Sequence, residues 1–310
     1  MSTLFAFPGQ GAQQPGMLHQ LPDAPEVRAC LDVARAQLGD ELDILDTPEA
    51  LQSTRAVQLC LLLAGVASAR LLIARRAKVD YVAGLSIGAY AAAVVAEALS
   101  LEDALHLVAL RGSLMEQAYP QGYGMTAIMG LERPQVEALL AEVNRPAQPV
   151  YLANVNASNQ LVIAGSETAM QAVAERARTL GAGAAKRLAV SVPSHCALLA
   201  EPAAELAQAF AKVSIERPRL RYLSSSSARL ILDPEQLRED LAFNMCRLVD
   251  WQGTLRNAYE RGVRLHLELA PGTVLAGLAR RVMKQGRVLS FQGTRLDTLD
   301  ALLREEGHPH

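Results

Sequence analysis

Tyr81-Val82-Ala83-Gly84-Leu85-Ser86-Ile87-Gly88-Ala89-Tyr90, running on through an alanine-rich stretch to Leu99, is the segment on which the reading of the fold turns. Tyr81 to Ala83 reads as a brief buried strand. Ala89 to Leu99 contains no Gly or Pro and is rich in the strongest helix former, so it reads as a helix. Between them Gly84 to Gly88 fits G-x-S-x-G, a sharp strand-to-helix turn that projects a serine hydroxyl at the edge of a sheet. The first turn of the following helix offers free amide donors and the positive end of its dipole, both suited to a developing oxyanion. Ser86 is therefore the candidate nucleophile. A merely tight turn is the competing reading, and the strand before and helix after weigh against it.

Outward from this turn, strand-like and helix-like segments alternate. Leu4 to Phe7 is a short apolar run stopped by Pro8-Gly9; Glu26 to Leu38 and Thr54 to Arg76 carry helical periodicity. Residues 125–190 have a different rhythm. Met125 to Met129 reads as a strand and Arg133 to Val143 as a helix opened by Pro134. Val150 to Val155 and Gln160 to Ala164 read as two strands joined by the turn-rich Asn156 to Asn159. Ser166 to Leu180 reads as a helix and Ala185 to Val190 as a closing strand. Strand-helix-strand-strand-helix-strand is the ferredoxin-like order, so 125–190 is a candidate inserted subdomain. Beyond it come a helix (Ala200 to Ala211), a serine-rich loop (Ser224 to Ser227), a further helical stretch, a strand (Arg264 to Leu269) and a last helix after Pro271-Gly272. The alternation predicts an α/β fold with a mainly parallel sheet.

Bulk properties narrow the function classes. The 310 residues are half hydrophobic, enough for one large domain or two modest ones. A formal net charge of -2 and a sequence pI near 6.3 speak against nucleic acid as a partner. Short basic clusters at Arg75-Arg76-Lys78, Lys186-Arg187 and Arg280-Arg281 with Lys284 read first as solvated helix faces or ends, and second as docking points for an acidic partner. Cys30, Cys60, Cys196 and Cys246 form no CxxC pair and sit among apolar neighbours, as buried reduced thiols do. The opening MSTLFAFPGQG has no basic n-region or long apolar h-region, so no signal peptide is expected. Val57 to Ala74 is interrupted by Ser68 and Arg70 and ends in Arg75-Arg76, which predicts a buried helix rather than a membrane span. The expected location is the cytoplasm.

A nucleophilic serine needs a base. Of the six histidines, His308 and His310 lie in a polar tail, His106 in a helical apolar run, and His266 inside the strand Leu265 to Leu269. His195 follows a strand in Ser191-Val192-Pro193-Ser194-His195, where Pro193 stops the ladder and presents the next side chains at a sheet edge. Position favours His195 over His266. No Asp or Glu third member is evident; Glu268 would serve only if the fold brings it near.

Several separated motifs together resemble one family, the malonyl-CoA:acyl carrier protein transacylases. Phe7-Pro8-Gly9-Gln10-Gly11 is similar to that family's opening FPGQG, and Gly84 to Tyr90 to its GHSLGEY. Arg111-Gly112 with Met115 resembles its arginine helix, and Asn154-Val155-Asn156 with Gln160 to Gly165 its subdomain hairpin. Val192-Pro193-Ser194-His195 resembles the segment carrying its base, and Glu268-Leu269-Ala270-Pro271-Gly272 with Val274-Leu275 its closing E-x-GPG-x-VL. The resemblance implies a large α/β-hydrolase-like domain over 1–124 and 191–310, a small ferredoxin-like subdomain over 125–190, and a cleft between them. It implies Ser86 as nucleophile, His195 as base and acid, the backbone amides of Gln10 and Ile87 as oxyanion hole, and Arg111 as clamp for the substrate's free carboxylate. Without the motif Arg111 would read as an ordinary helix salt bridge.

The chain departs from the pattern at Leu85, where the fatty-acid enzymes have His, at Ala12 in place of Ser and at Ala89 in place of Glu. Asn244, seven residues before Trp251, stands where a Gln whose backbone carbonyl orients the histidine is expected. These departures resemble the transacylase (epsilon) subunit of bacterial malonate decarboxylase more than the fatty-acid enzyme, the alternative. Either resemblance implies malonyl-CoA as substrate, a carrier protein bearing a phosphopantetheine-type arm as partner, and no bound cofactor or metal. The first adds other malonate decarboxylase subunits as partners. Two rivals of other kinds are a serine hydrolase built on the same turn, which has no need of Arg111, and a non-catalytic subunit that docks a carrier.

Overall fold

Along the first strand, β1 (Ser2–Phe7), Leu4 and Ala6 face one way and Phe5 and Phe7 the other, and all four are fully buried. A strand covered on both faces must be apolar throughout, which is why this one reads as a continuous run. The computed structural model describes residues 2–305, leaving His308 and His310 outside them. After β1 come β2 (Tyr81–Gly84), β3 (Tyr123–Met129), β4 (Val150–Ala157), β5 (Gln160–Ser166), β6 (Ala184–Arg187), β7 (Arg221–Leu223), β8 (Leu230–Ile231), β9 (Val249–Asp250), β10 (Val263–Glu268) and β11 (Arg287–Ser290).

Two sheets result, with helices between most strands. The first has the order β11-β10-β1-β2-β7-β8 and is parallel except for the β7/β8 edge. The second has the order β6-β3-β5-β4-β9, with β3 to β6 antiparallel to their neighbours and β9 added in parallel beside β4. The fold is thus mixed α/β, with a mainly parallel sheet and a separate antiparallel one. Within the second sheet the chain runs strand-helix-strand-strand-helix-strand, as the sequence predicts, but β9 comes from far downstream and ties this sheet to the rest.

On one face of the first sheet the helix Thr54–Ala74 forms the centre of the largest apolar cluster, packed against Leu101–Ala118, Gly88–Val95 and Pro25–Leu38. It is long and apolar enough to cross a membrane, yet 89% of its most apolar window is buried inside the protein. Its start is fixed by Ser53, whose side chain accepts from the Ala56 N–H. Leu101–Ala118 lies so close that a Cβ on Gly112 would come 2.4 Å from the Arg55 Cα. That approach sets the preceding residue, Arg111, beside Gln58 of the neighbouring helix.

Some expected boundaries shift. The helix predicted to Leu99 ends at Val95, because Glu97 takes a left-handed conformation (φ 56°) and breaks the ladder. The strand predicted to Val190 ends at Arg187; Leu188 makes one last bond to the Met125 carbonyl before the chain turns towards His195.

His266 is fully buried on β10, and neither ring nitrogen has a hydrogen-bond partner among the described residues. Burial, aided by the charge of Arg280, lowers its pKa to about 3. Its folded pKa lies below the ordinary value of about 6.5, so below that pH the unfolded chain takes up the proton first. Stability is therefore complete above pH 6.5 and falls as pH drops towards 3, by at most about 1.4 kcal/mol per pH unit for one proton. Chemical denaturation between pH 7 and 5 should show this slope in the wild type and a smaller one in His266→Leu. Equal slopes in both would contradict it.

Candidate active site

Ser86 sits between the end of β2 and the helix Gly88–Val95 with φ 56°. The turn is tight enough that a Cβ on Gly84 would fall 1.9 Å from the Gly88 carbonyl carbon, and one on Gly88 2.2 Å from the Phe7 carbonyl oxygen. Only glycine fits at either end. The left-handed conformation is uncommon for a residue with a side chain and costs on the order of 1–3 kcal/mol. Among the described residues five non-glycines have positive φ, and Ser86 and His195 (φ 64°) are two of them. Strain of this kind gathers where side-chain direction matters more than local stability.

His195 Nε2 lies 2.8 Å from Ser86 Oγ, and His195 Nδ1 lies 2.8 Å from the backbone carbonyl of Asn244. A carbonyl only accepts, so Nδ1 carries the proton and Nε2 is left free to accept from the serine hydroxyl. The backbone zips the same two segments together, His195 N–H donating to the Met245 carbonyl at 2.6 Å. His195 is 3% exposed. Burial, then the nearby Arg111 cation, lower its pKa to about 4, against the opposing pull of the Asn244 carbonyl. The imidazole is therefore neutral at pH 7, the state a general base requires.

Glu268 does not orient the histidine. Its Oε2 accepts from the Ala276 N–H, so it caps the helix Val274–Val282 from below. A backbone carbonyl does the work of the acid that the sequence does not supply. Cys196, next to the base, is also set aside: burial pushes its thiol up to about 12, and it donates to the Pro193 carbonyl.

Arg111 is fully buried, and its neighbours are neutral. Nη1 donates to Gln58 Oε1 at 2.7 Å; Nη2 donates to Asn244 Oδ1 at 3.0 Å and reaches Ser86 Oγ at 3.3 Å. Its Nε has no partner among the described residues, and its guanidinium carbon stands 5.8 Å from the centre of the Tyr90 ring. No carboxylate among the described residues pairs with it, so the salt-bridge reading of Arg111 fails. The Asn244 side chain also donates from Nδ2 to the Ser86 carbonyl at 3.3 Å. One residue thus touches nucleophile, base and cation. Sequence reasoning reached only its carbonyl, and it missed Gln58. A lone Gln inside the apolar run Val57 to Leu63 was the available signal.

Ser86 and His195 open on a cavity of ≈ 260 Å³ between the two sheets, lined also by Gln10, Leu85, Asn154 and Leu278 among others; Arg111 and Asn244 touch Ser86 but are not part of its lining. Gln10 and Ile87 bring their loops together: a Cβ on Gly9 would fall 2.7 Å from the Leu85 carbonyl. Their backbone N–H groups have no protein acceptor among the described residues. The arrangement can deprotonate Ser86, offer free amides to an oxyanion, and hold an anion beside the reacting oxygen.

With its base titrating near 4, Ser86 should react with a fluorophosphonate at an unchanged rate from pH 7 down to 5. A histidine of ordinary pKa would lose more than about nine-tenths of its neutral form over that range. A matching fall in labelling rate, with the protein still folded, would contradict this geometry.

The sequence matches the acyl transferase domain over residues 4–301. It is 35% identical over 291 residues to the malonyl CoA-acyl carrier protein transacylase of Haemophilus influenzae, covering 92% of this chain and 93% of that protein. Identity to the transacylase of the same name from Escherichia coli K12 is 34% over 285 residues, 90% of this chain and 92% of that one. Among solved structures, the malonyl CoA-acyl carrier protein transacylase of Coxiella burnetii aligns with a TM-score of 0.90 at 36% identity, over 99% of this chain and 96% of that one. A malonyl-transacylase solved in complex with its type II PKS acyl-carrier protein aligns with a TM-score of 0.87 at 34% identity, over 94% of each chain. The resemblance read from separated motifs extends through the whole architecture: this chain belongs to the acyl transferase domain family and, within it, to the malonyl-CoA:acyl carrier protein transacylases.

Proposed function

We propose that this acyltransferase moves a malonyl group from malonyl-CoA to the thiol of an acyl carrier protein through an ester on Ser86. The observation that carries the reading is Arg111, a buried cation beside Ser86 Oγ with no carboxylate partner among the described residues. An unpaired charge in a protein interior is costly. An acyl group with its own carboxylate removes that cost, and the planar fork suits bidentate pairing.

In the first half-reaction His195 Nε2 takes the Ser86 proton as Oγ bonds to the malonyl thioester carbon. The oxyanion is received by the N–H groups of Gln10 and Ile87, where one such donor typically contributes about 3–4 kcal/mol. The C–S bond then breaks, and His195 returns the proton to the departing thiolate, leaving free CoA and malonyl on Ser86. The carrier thiol repeats the sequence in reverse: His195 takes the thiol proton, sulfur attacks the ester, and Ser86 recovers its hydrogen. A thioester is exchanged for a thioester, so the chemistry calls for no further cofactor. The malonyl carboxylate also neutralises Arg111, one of the two effects that depress His195. The base is thereby strengthened only when the correct acyl group is bound.

We assign the α/β-hydrolase-like part to 1–124 and 191–310 and the ferredoxin-like part to 125–190, with the cleft at their junction. Acyl carrier protein transacylases are the relatives matched, which favours a fatty-acid-type carrier over the malonate decarboxylase carrier expected from the sequence. The decarboxylase reading keeps one support, the departures Leu85, Ala89 and Asn244; Leu85 forms part of the cavity wall where the fatty-acid enzymes place His. The proposed place of action is the cytoplasm.

Brief exposure to malonyl-CoA should leave a malonyl adduct on Ser86, found by intact mass and peptide mapping, while acetyl-CoA leaves little. Arg111→Ala should reduce malonyl loading about ten- to a hundredfold, the loss expected for hydrogen bonds to a charged group. Offering the loaded enzyme the two carriers in turn separates the pathways, and discharge by the fatty-acid carrier is expected. Equal acetyl and malonyl loading of the wild type would remove the malonyl reading. Rapid loss of the acyl group to water, whatever carrier is present, would favour a hydrolase.

A further inference from the structure

The loop that carries Gln10 has little of its own to hold it in place. It is neither helix nor strand, and Gly11, next to Gln10, takes a left-handed conformation (φ 106°) that glycine adopts freely. Upstream the loop is secured at the end of β1, where the Leu85 N–H donates to the Phe7 carbonyl at 3.0 Å. Downstream the bonds are local at first. The Ala12 N–H donates to the Gly9 carbonyl at 3.3 Å, and the Gly11 N–H to Gln13 Oε1 at 2.6 Å. Among the described residues, Gln14 makes the first downstream hydrogen bond to a distant part of the chain.

Gln14 and Gln292 face each other as a reciprocal carboxamide pair. Gln14 Nε2 donates to Gln292 Oε1 at 3.4 Å, and Gln292 Nε2 donates to Gln14 Oε1 at 3.1 Å. Gln292 Oε1 also accepts from the Gly272 N–H at 2.5 Å. Gly272 leads into the helix Val274–Val282, which contributes Val274, Leu275 and Leu278 to the cavity wall. The two loops are in contact here: a Cβ on Gly272 would lie 3.2 Å from the Ala12 Cβ. Gln292 is itself fixed from behind. Ser290 Oγ, at the end of β11, donates to its carbonyl at 2.9 Å, and the neighbouring Phe291 N–H donates to the Glu268 carbonyl at 2.7 Å. Both glutamines are half-buried, and neither lines the cavity.

We propose that Gln292 is a positioning residue for the transfer: through Gln14 it holds the Gln10 N–H at the place where the oxyanion forms. The inference rests on the transfer reading and deepens it. An oxyanion donor acts only when held about 2.7–3.1 Å from the charged oxygen. A displacement of about 1 Å can cost on the order of a hundredfold in rate. The Ile87 amide is kept in place by the helix Gly88–Val95, which it caps. Gln10 has no such helix behind it. The carboxamide pair supplies the support, and by holding the Gly272 N–H as well it stops the loop and the cleft wall from shifting independently. Because both side chains stand outside the cavity, their loss leaves the space for substrate intact while it loosens the oxyanion donor.

The test is single-turnover acylation of Ser86 by malonyl-CoA, which separates the maximal rate from the concentration that gives half of it. Gln14→Ala should lower the maximal rate about tenfold and leave the half-saturating concentration within about twofold of wild type. Gln292→Ala should lower the rate at least as far. The double variant should fall no further than Gln292→Ala alone, because the two side chains act through one contact. Gln292→Glu keeps both acceptor bonds of Oε1 and should recover the rate to within about threefold of wild type. Should Gln292→Ala fold poorly, Gln14→Ala and Gln292→Glu carry the test. An unchanged maximal rate in Gln14→Ala, a loss confined to half-saturation, or losses that multiply in the double variant would overturn the proposal. A wild type that forms no malonyl-Ser86 at all would overturn the transfer reading beneath it, a separate and recognisable result.

Discussion

The constraint on which the rest of the site depends is a guanidinium with no counter-ion among the described residues. Arg111 is fully buried, and two side-chain carboxamides, those of Gln58 and Asn244, accept from it. Neutral acceptors satisfy its donors without cancelling its charge. A carboxylate in their place would form a closed ion pair and leave nothing for a ligand. Three parts of the chain must converge to hold this state: Leu101–Ala118 for the arginine, Thr54–Ala74 for Gln58 and the turn Asn244–Cys246 for Asn244. The close approach at Gly112 and the anchoring of Tyr90 Oη to the Leu241 carbonyl at 2.9 Å keep them together. The positive field so created also depresses His195, which ties the readiness of the base to what lies against the arginine.

The serine turn was legible because its requirements are local. A strand, two glycines that only glycine can replace, and a helix all leave a mark within twenty residues. His195 was favoured over His266 for a similar reason, Pro193 ending a strand just before it; the structure sets His195 Nε2 2.8 Å from Ser86 Oγ. The partner of the histidine was not legible in the same way. A backbone carbonyl has no side-chain signature, so the bare sequence offers only an absent acid and a doubtful Glu268, which proves to be a helix cap. Arg111 needed the family resemblance, since an arginine in a helix reads as a salt bridge until its surroundings are known. The two-residue strands β8 and β9 are too short to show a period, and a bulge in β4 at Ala153 alters a face without altering composition.

The two sheets divide the labour. The mainly parallel sheet, buried on both faces, supplies the rigid turn and the arginine helix. The antiparallel sheet buries one face under its own helices and turns the other, with Met125, Ala127 and Val162, to the cavity. Because β9 pairs beside β4 while leading directly into the helix Trp251–Glu260, the wall of the cleft is stitched to the part that carries Asn244. A narrow space between such surfaces is suited to an ester that must survive in water until a second thiol arrives. On the choice of carrier, Leu85 in the cavity wall and the matched relatives point in different directions.

The most direct test of the account is a crystal structure of the enzyme trapped as the malonyl ester on Ser86. The account predicts the malonyl carboxylate paired with Arg111 through Nη2 and the now unpartnered Nε, with Gln58 still bound to Nη1 and His195 still on the Asn244 carbonyl. A carboxylate directed away from Arg111 into solvent, with the arginine contacts unchanged, would contradict it.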